Sequence, residues 1–493
     1  MATPSDRAFF GHPRGLSTLF FTEMWERFSY YGMRALLLLY MTAPVAAGGL
    51  GFDTAQGGAI YGLYTSMVYL ATLPGGWIAD RLIGPRRAVL YGGVFIAAGH
   101  FSMALASLPL FYLGLFLIVI GTGLLKGNVS VIVGKLYASG DNRRDAGFSI
   151  FYMGINLGAF IAPLICGYLG QEIAWHYGFG AAGVGMLLGV IQYVFGAPAL
   201  GDAGVDPAAA TPDERARWRR QATLWGGLFV ALAAIIGIGG YTGAIPITAN
   251  QVADAAGVML MAIIVGFFGW LYFSSSWTPE ERKRLYVIGV LFLAASIFWS
   301  LFEQAGSTLN LFARDRTHNA AFGAEFPSSW FQSMNSMFLI IFAPVMAWLW
   351  VRLSVAGKEP STPMKFAWGL VLAGLGFAIL VLPAGDESQL ASPLWLTTTY
   401  FLHTIGELVL SPVGLSAMTV LAPARIGGLM MGVWFLATSV GNFISGRVSG
   451  LYEAMALPTL FGTVASIGIL LGVVLMLLTP AMRRLLPSQP AKT

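Results

Sequence analysis

The feature that most restricts the fold of this chain is a series of long apolar blocks. Residues 108–133 contain a single charged side chain, and residues 224–240 and 457–478 contain no charge. About 20 consecutive apolar residues cross the ~30 Å hydrocarbon core of a bilayer as an α-helix. Only 10% of the 493 residues are charged, whereas soluble chains carry roughly 25%. The chain is therefore predicted to be an all-α polytopic membrane protein.

The spacing of the apolar blocks predicts about fourteen transmembrane helices. They are expected near residues 16–42, 54–78, 86–107, 109–135, 144–170, 176–198, 221–241, 254–275, 286–313, 328–353, 364–384, 393–422, 426–448 and 456–480. A polar, arginine-rich stretch follows the sixth helix. We therefore expect a six-helix bundle over residues 1–198, a linker with two inserted transmembrane helices over 199–285, and a second six-helix bundle over 286–493.

The basic residues predict the orientation of these helices. With a cytoplasmic N-terminus, nearly all of the 28 Lys and Arg residues fall in cytoplasmic segments, including Arg425 and Lys492. Only Arg314, Arg316 and Arg447 fall in periplasmic ones. This bias follows the positive-inside rule. It predicts a multi-pass membrane protein with both termini in the cytoplasm, and it argues against nucleic-acid binding, because the basic residues line one membrane face.

Charged side chains inside the predicted helices are the main functional signal. An ionised side chain at the bilayer centre costs at least ~2.5–3.5 kcal/mol on insertion scales. The seven that we find are Glu23, Glu26, Arg27, Arg34, Lys126, Glu303 and Glu407. The first four, with Tyr30, recur at steps of three and four residues and so share one helical face. That face is expected to line a polar cavity; an ion-pair staple between helices is the structural alternative.

The depth of these charges in the membrane predicts two gates. Arg34 and Glu303 are expected at similar depth toward the periplasm, and Lys126 and Glu407 at similar depth toward the cytoplasm. One opposite-charge pair at each end of a cavity fits a protein whose access alternates between the two sides, because protonation or a charged substrate can shift such a balance.

Other polar and aromatic residues follow the same helical faces. Tyr152 and Asn156 are four residues apart, and His403, Glu407 and Ser411 form a row on one helix. Trp299 and Phe302 share a face with Glu303, while Asn335 and Trp434 lie on further spans. Such residues serve as helix–helix contacts or as a cavity lining, and the pattern alone leaves both open.

Several motifs resemble one known family. Residues 23–32 read EMWERFSYYG, which strongly resembles the ExxERFxYYG pattern of the proton-dependent oligopeptide transporter family of the major facilitator superfamily. Residues 151–158, FYMGINLG, are similar to the family pattern FYxxINxG. Residues 332–335 and 407–412 resemble its eighth- and tenth-helix motifs, and residues 76–87 resemble a loop shared by facilitators. Bacterial members also carry two extra helices between the bundles.

The resemblance implies a proton-coupled symporter that imports di- and tripeptides by alternating access. No cofactor is implied, since the proton gradient drives transport. The expected partners are short peptides, protons and membrane lipid, and the expected functional unit is a monomer. Glu23, Glu26 and Arg27 would form the proton relay. Substrate would meet Tyr30, Arg34 and Lys126 at its carboxylate, Asn156, Asn335 and Glu407 at its amino group, and Tyr64, Trp299, Phe302 and Trp434 at its side chains, with Tyr152 and Ser411 beside them.

Three other functions fit these residues less well. A nitrate or small-anion carrier would need cationic cavity residues but has no use for Glu407, and a drug exporter would favour fewer fixed charges. An intramembrane enzyme is not expected, since the spans contain no HExxH or GxSxG motif and Cys166 has no placed catalytic partner.

Overall fold

The protein is almost entirely helical. The computed structural model describes residues 7–138, 140–274, 277–423 and 426–485, so Arg425 and Lys492 lie outside the described residues. The helices found there are α1 Arg14–Thr42, α2 Thr54–Leu70, α3 Thr72–Ile78, α4 Pro85–Met103, α5 Leu108–Lys135, α6 Arg144–Tyr168, α7 Trp175–Gly196, α8 Pro212–Thr242, α9 Ala249–Phe273, α10 Pro279–Phe302, α11 Thr308–Arg316, α12 Gln332–Val355, α13 Thr362–Ala378, α14 Val381–Gly385, α15 Pro393–Leu421, α16 Gly427–Ser449 and α17 Leu457–Leu485. Two short strands, β1 Ala320–Ala321 and β2 Ala324–Glu325, pair antiparallel.

These helices make up fourteen segments, because α2–α3, α10–α11 and α13–α14 are each one interrupted segment. Within the described residues, eleven segments are long and apolar enough to cross a membrane. Helix α1 is not among them, as expected for a helix that carries Glu23, Glu26, Arg27 and Arg34. The predicted all-α polytopic fold is confirmed.

Helices α8 and α10 start well before the predicted membrane spans, by more than a full helical turn and with a capping box at the start. Helix α8 begins at Pro212 and not at 221, and α10 begins at Pro279 and not at 286. In each case a threonine (Thr211 or Thr278) caps the first turn and exchanges hydrogen bonds with the glutamate three residues on. Such a capping box satisfies orphan backbone N–H groups at a helix start. The predicted starts were wrong because hydropathy does not register a polar first turn.

Two of the three interruptions have a proline as their cause. Proline has no backbone N–H, so it cannot donate to the carbonyl four residues earlier. For Pro74 that carbonyl belongs to Leu70, the last residue of α2. For Pro383 it belongs to Ile379, which directly follows α13. The predicted continuous spans 54–78 and 364–384 are therefore each divided. The third interruption, Glu303–Gly306, is a 3₁₀ turn followed by Ser307 at φ −126° and ψ −99°.

Two compact units emerge from the helix packing. Unit 1 comprises Met1–Gly51 and Met67–Val252. Its core contains Leu19, Val89, Leu125 and Met186, from α1, α4, α5 and α7. Helices α4 and α5 approach closely, since a Cβ on Gly92 would lie 2.6 Å from the carbonyl oxygen of Gly121. Small residues at such contacts are the usual route to tight packing in a membrane.

Unit 2 comprises Phe52–Ser66 and Ala253–Thr493. Its first piece is most of α2, which packs on α16: a Cβ on Gly62 would lie 2.9 Å from the Cα of Gly446, and the hydroxyls of Ser66 and Ser439 are 2.7 Å apart. The insert is divided as well, because α8 belongs to unit 1 and nearly all of α9 to unit 2. The predicted three-part division of the chain stays a prediction.

The segment before α1 is fixed against the end of α5. His12 Nδ1 lies 2.9 Å from the Tyr137 hydroxyl, and Arg143, paired with Asp141, donates to the Gly11 carbonyl at 3.3 Å. Burial, with a smaller effect of Arg143, lowers the pKa of His12. The neutral imidazole is therefore the form that this packing favours.

Candidate functional site

Unit 1 holds a buried charge cluster on α1. Arg27 Nη2 donates to Glu26 Oε1 at 2.5 Å, its Nε contacts the second oxygen of Glu26, and the Nε also lies 3.4 Å from Glu23 Oε1. None of the three residues is more than 4% exposed. The i, i+3, i+4 spacing places them on one helical face, as predicted. Two carboxylates face one guanidinium, so a single proton would neutralise these three side chains of α1. Lys126 of α5 also acts electrostatically on Glu23.

Three cations predicted as site residues in unit 1, namely Arg27, Arg34 and Lys126, lie against tyrosine rings. The Arg27 guanidinium lies 5.1 Å from the Tyr30 ring centroid, Arg34 lies 5.6 Å from the Tyr31 ring, and Lys126 Nζ lies 3.7 Å from the Tyr69 ring. These are cation–π distances, which stabilise a desolvated charge. Tyr31 and Tyr69 were not predicted as site residues. Tyr31 stands inside the ExxERFxYYG match and could have been found there, whereas no local pattern singles out Tyr69.

Helix α6 brings the second motif to the charged helix. A Cβ on Gly158 would lie 2.2 Å from the Met24 carbonyl oxygen, so only glycine allows this approach of α6 to α1. Asn156, 5% exposed, donates to the carbonyl of Tyr152 at 3.0 Å, and the Tyr152 side chain is 46% exposed. The motifs at residues 23–32 and 151–158 therefore lie together in unit 1.

Unit 2 holds a carboxylate fixed by an amide. Asn335 Nδ2, on α12, donates to Glu407 Oε2 and to Thr404 Oγ1, both at 3.0 Å. Glu407 and Thr404 lie on α15, one turn apart, so the amide crosses from one helix to the next. The structure brings the predicted Asn335 and Glu407 together; Thr404 was missed, although its i−3 spacing from Glu407 was visible.

Aromatic residues predicted to contact substrate also meet in unit 2. The Trp299 ring lies 5.4 Å from the Phe302 ring and 6.2 Å from the Trp434 ring, edge-on in both cases. All three are buried, and so is Tyr64. Ser411 lies one turn beyond Glu407 on α15 and is partly buried.

The four predicted gate charges are distributed over the two units. Arg34 and Lys126 belong to unit 1, and Glu303 and Glu407 to unit 2. Arg34 is 4% and Glu303 3% exposed, which fits the expectation that neither faces lipid. The two pairings stay predictions. Among the described residues, no group of three or more His, Cys, Asp or Glu is placed to hold a metal ion.

The fourteen helical segments in the described part of the chain, together with the buried charges that they carry, define a polytopic membrane transporter. A family model described as POT family matches residues 86–467, and this chain belongs to that family.

Related proteins span nearly the whole chain. A peptide transporter of Yersinia enterocolitica, YePEPT, is 43% identical over 98% of this chain and 97% of its own. A di-/tripeptide transporter of Lactococcus lactis subsp. cremoris is 37% identical over 98% of both. A solved structure of a peptide transporter POT with sulfate matches with a TM-score of 0.91, 43% identity and 98% coverage of both chains. A POT family transporter with 5-aminolevulinic acid matches with a TM-score of 0.90, 35% identity and coverage of 97% of this chain and 98% of its own.

Proposed function

We propose that this chain is a proton-coupled symporter that imports di- and tripeptides across the bacterial inner membrane by alternating access. The observation that carries the proposal is the α1 cluster, in which Glu23 and Glu26 share Arg27 while fully buried. Because the cluster has one carboxylate in excess, it can take up and release a proton without creating a new unpaired cation. Full-length relatives named as peptide transporters support the same substrate class.

A peptide is a zwitterion, so the site requires one cationic and one anionic pole. We assign the peptide carboxylate to Arg34, Lys126 and Tyr30, and the peptide amino group to Glu407 and Asn335, with Asn156 assisting. The Asn335–Glu407 hydrogen bond supports this role, because it holds in place the carboxylate that would bind the amino group.

The remaining roles are proposals of the same kind. Trp299, Phe302, Trp434 and Tyr64 accept peptide side chains, with Tyr152 and Ser411 beside them, while Arg34, Glu303, Lys126 and Glu407 act as gate charges. We also propose cytoplasmic termini, a monomer surrounded by lipid, no cofactor beyond the proton gradient, and no enzymatic activity.

The test is uptake of labelled dialanine into proteoliposomes, with and without an inward proton gradient. Glu23→Gln and Glu26→Gln should abolish gradient-driven accumulation and retain part of the peptide counterflow, because only the proton step is lost. Glu280→Gln, an exposed carboxylate at the start of α10, is the matched control. Unchanged accumulation in both α1 variants would rule out the relay.

Competition separates the substrate classes. Free dipeptide should compete with the label, while nitrate and a dipeptide blocked at both ends should not, because the blocked peptide offers neither pole. Equal competition by the blocked peptide would contradict the two-pole site, and competition by nitrate alone would indicate an anion carrier.

A further inference from the structure

The break between α10 and α11 lies against α16. Ser307, at the break, has its hydroxyl 3.0 Å from that of Ser445, and both residues are fully buried. A few residues earlier along both segments, a Cβ on Gly441 would lie 2.4 Å from the Trp299 Cβ. The two segments therefore run in parallel, with residues 300–306 facing residues 441–445.

Two amide side chains lie on the seam, as we call the contact between residues 300–306 and residues 441–445. Gln304 lies in the 3₁₀ turn three residues before Ser307, whose backbone N–H donates to the Gln304 carbonyl at 3.1 Å. Asn442 precedes Ser445 by three residues on α16 and shares its face. Gln304 is 1% exposed and Asn442 is fully buried.

Both amides present an acceptor to the seam. Gln304 Nε2 donates to the Ser300 carbonyl at 3.1 Å, and Asn442 Nδ2 donates to the Thr438 carbonyl at 3.0 Å. Only the amide nitrogen can donate to a carbonyl, so the amide oxygen of each side chain must point away from the carbonyl that its nitrogen contacts. Within the described part of the chain, neither Gln304 Oε1 nor Asn442 Oδ1 has a donor.

The two amide oxygens on the seam are therefore acceptors that still require a donor. Of the Ser307 and Ser445 hydroxyls, one proton is used between them, which leaves at most one for a third group. Buried polar atoms in a membrane span find partners in protein or in ordered water. Water supplies two donors and fits a polar cavity that offers two to four partners.

We propose that the α10–α11 break holds a buried water molecule that donates hydrogen bonds to Gln304 Oε1 and Asn442 Oδ1 and accepts one from the Ser307–Ser445 pair. The water fixes the 3₁₀ turn to α16, and with it the backbone of Glu303, the first residue of that turn. All of these contacts lie inside unit 2, so the water site does not depend on which substrate the protein transports.

A direct test is an experimental structure at a resolution that shows ordered water, about 2 Å or better. Density is expected within hydrogen-bonding distance of both amide oxygens, about 2.7–3.2 Å. An unoccupied seam, or amide oxygens bonded to protein donors, would overturn the proposal. So would a monovalent cation at this position, which rubidium-soaked crystals would reveal by anomalous scattering.

A double-mutant cycle tests the bridge in solution. Gln304→Met and Asn442→Leu each remove one acceptor with little change in volume, and each should lower the midpoint of thermal unfolding. Because either variant already expels the shared water, the double variant should lose less than the sum of the two shifts.

The matched control replaces Asn128, a buried residue of unit 1 whose amide donates to the carbonyl one turn back at 2.7 Å, as that of Asn442 does. The shifts of Gln304→Met and Asn128→Leu should add. Additivity in the Gln304–Asn442 pair as well would contradict a shared water.

Discussion

Removal of the Arg27 guanidinium is the perturbation whose magnitude the structure defines best. Arg27 forms ion pairs with both Glu23 and Glu26, at 3.4 Å from Glu23 and in direct contact with Glu26. The side chains are 4%, 5% and 1% exposed for Arg27, Glu23 and Glu26. Breaking a buried ion pair by removal of one partner costs about 3–5 kcal/mol. Arg27→Met should therefore lower the folded-to-unfolded ratio roughly a hundred- to a few thousand-fold.

The chain provides both a control and a reporter for this experiment. Arg314 contacts the adjacent Asp315 as Arg27 contacts Glu26, but their side chains are 28% and 34% exposed. Such a pair is worth about 0–1 kcal/mol, so Arg314→Met should change stability little. The single cysteine, Cys166, is buried against α1, so its reaction with a thiol-reactive dye reports unfolding.

Adding Glu26→Gln to Arg27→Met should recover part of the lost stability, because it removes one of the two carboxylates left without their arginine. If Arg27→Met destabilises the protein no more than Arg314→Met does, the α1 cluster is not a desolvated ion-pair network. The reasoning from burial and charge would then be refuted.

Three further predictions concern other parts of the molecule. The folded-state pKa of His12 is lowered, so the contribution of His12 to stability is present above the unfolded-state pKa of about 6.5 and is lost as the pH falls. The stability difference between wild type and His12→Gln should therefore shrink from pH 8 to pH 5, and a constant difference would contradict this. Arg447 pairs with Asp254, and their side chains are 34% and 64% exposed. Asp254→Lys should therefore lower the free energy of unfolding by up to about 1 kcal/mol, and adding Arg447→Asp should restore the midpoint of thermal unfolding. No restoration would show that the pair does not couple α9 to α16. Asn335→Ala removes a charge-assisted hydrogen bond of about 1.5–3 kcal/mol and should weaken peptide binding about 10- to 150-fold by calorimetry, whereas Thr404→Val should have a smaller effect; an equal loss in both would mean that the carboxylate contact is not what matters.

The apolar blocks predicted the membrane class and the number of helical segments because each span must satisfy its backbone within itself. The capping boxes at Thr211 and Thr278 were also visible in the sequence and would have given those two helix starts. Prolines alone would not have given the breaks, because Pro163, Pro344, Pro412 and Pro480 lie inside uninterrupted helices. The break at Ser307 was not legible. No proline lies near it, and its partner Ser445 is far away in sequence.

In the candidate site, too, contacts within one helix could be predicted from the sequence, whereas contacts between helices could not. Glu23, Glu26 and Arg27 could be grouped from their helical spacing, because their contacts lie within two turns of one helix. Their burial follows from the cost of exposing charge to lipid. The contacts of Lys126 with Tyr69 and of Asn335 with Thr404 join different helices, and one sequence carries no information about which faces meet.

The assignment of residues 52–66 to unit 2 has a consequence for dissecting the protein by expression. A cut between Thr242 and Ala249 gives two polypeptides, of which the second contains all of unit 2 except this one piece of α2. Without it, the α16 surface around Ser439 and Gly446 lacks the helix that packs there. The second polypeptide should therefore accumulate poorly when made alone and be rescued by co-expression of the first. A peptide corresponding to α2 supplied in trans should stabilise it as well, which would make this transporter amenable to fragment complementation.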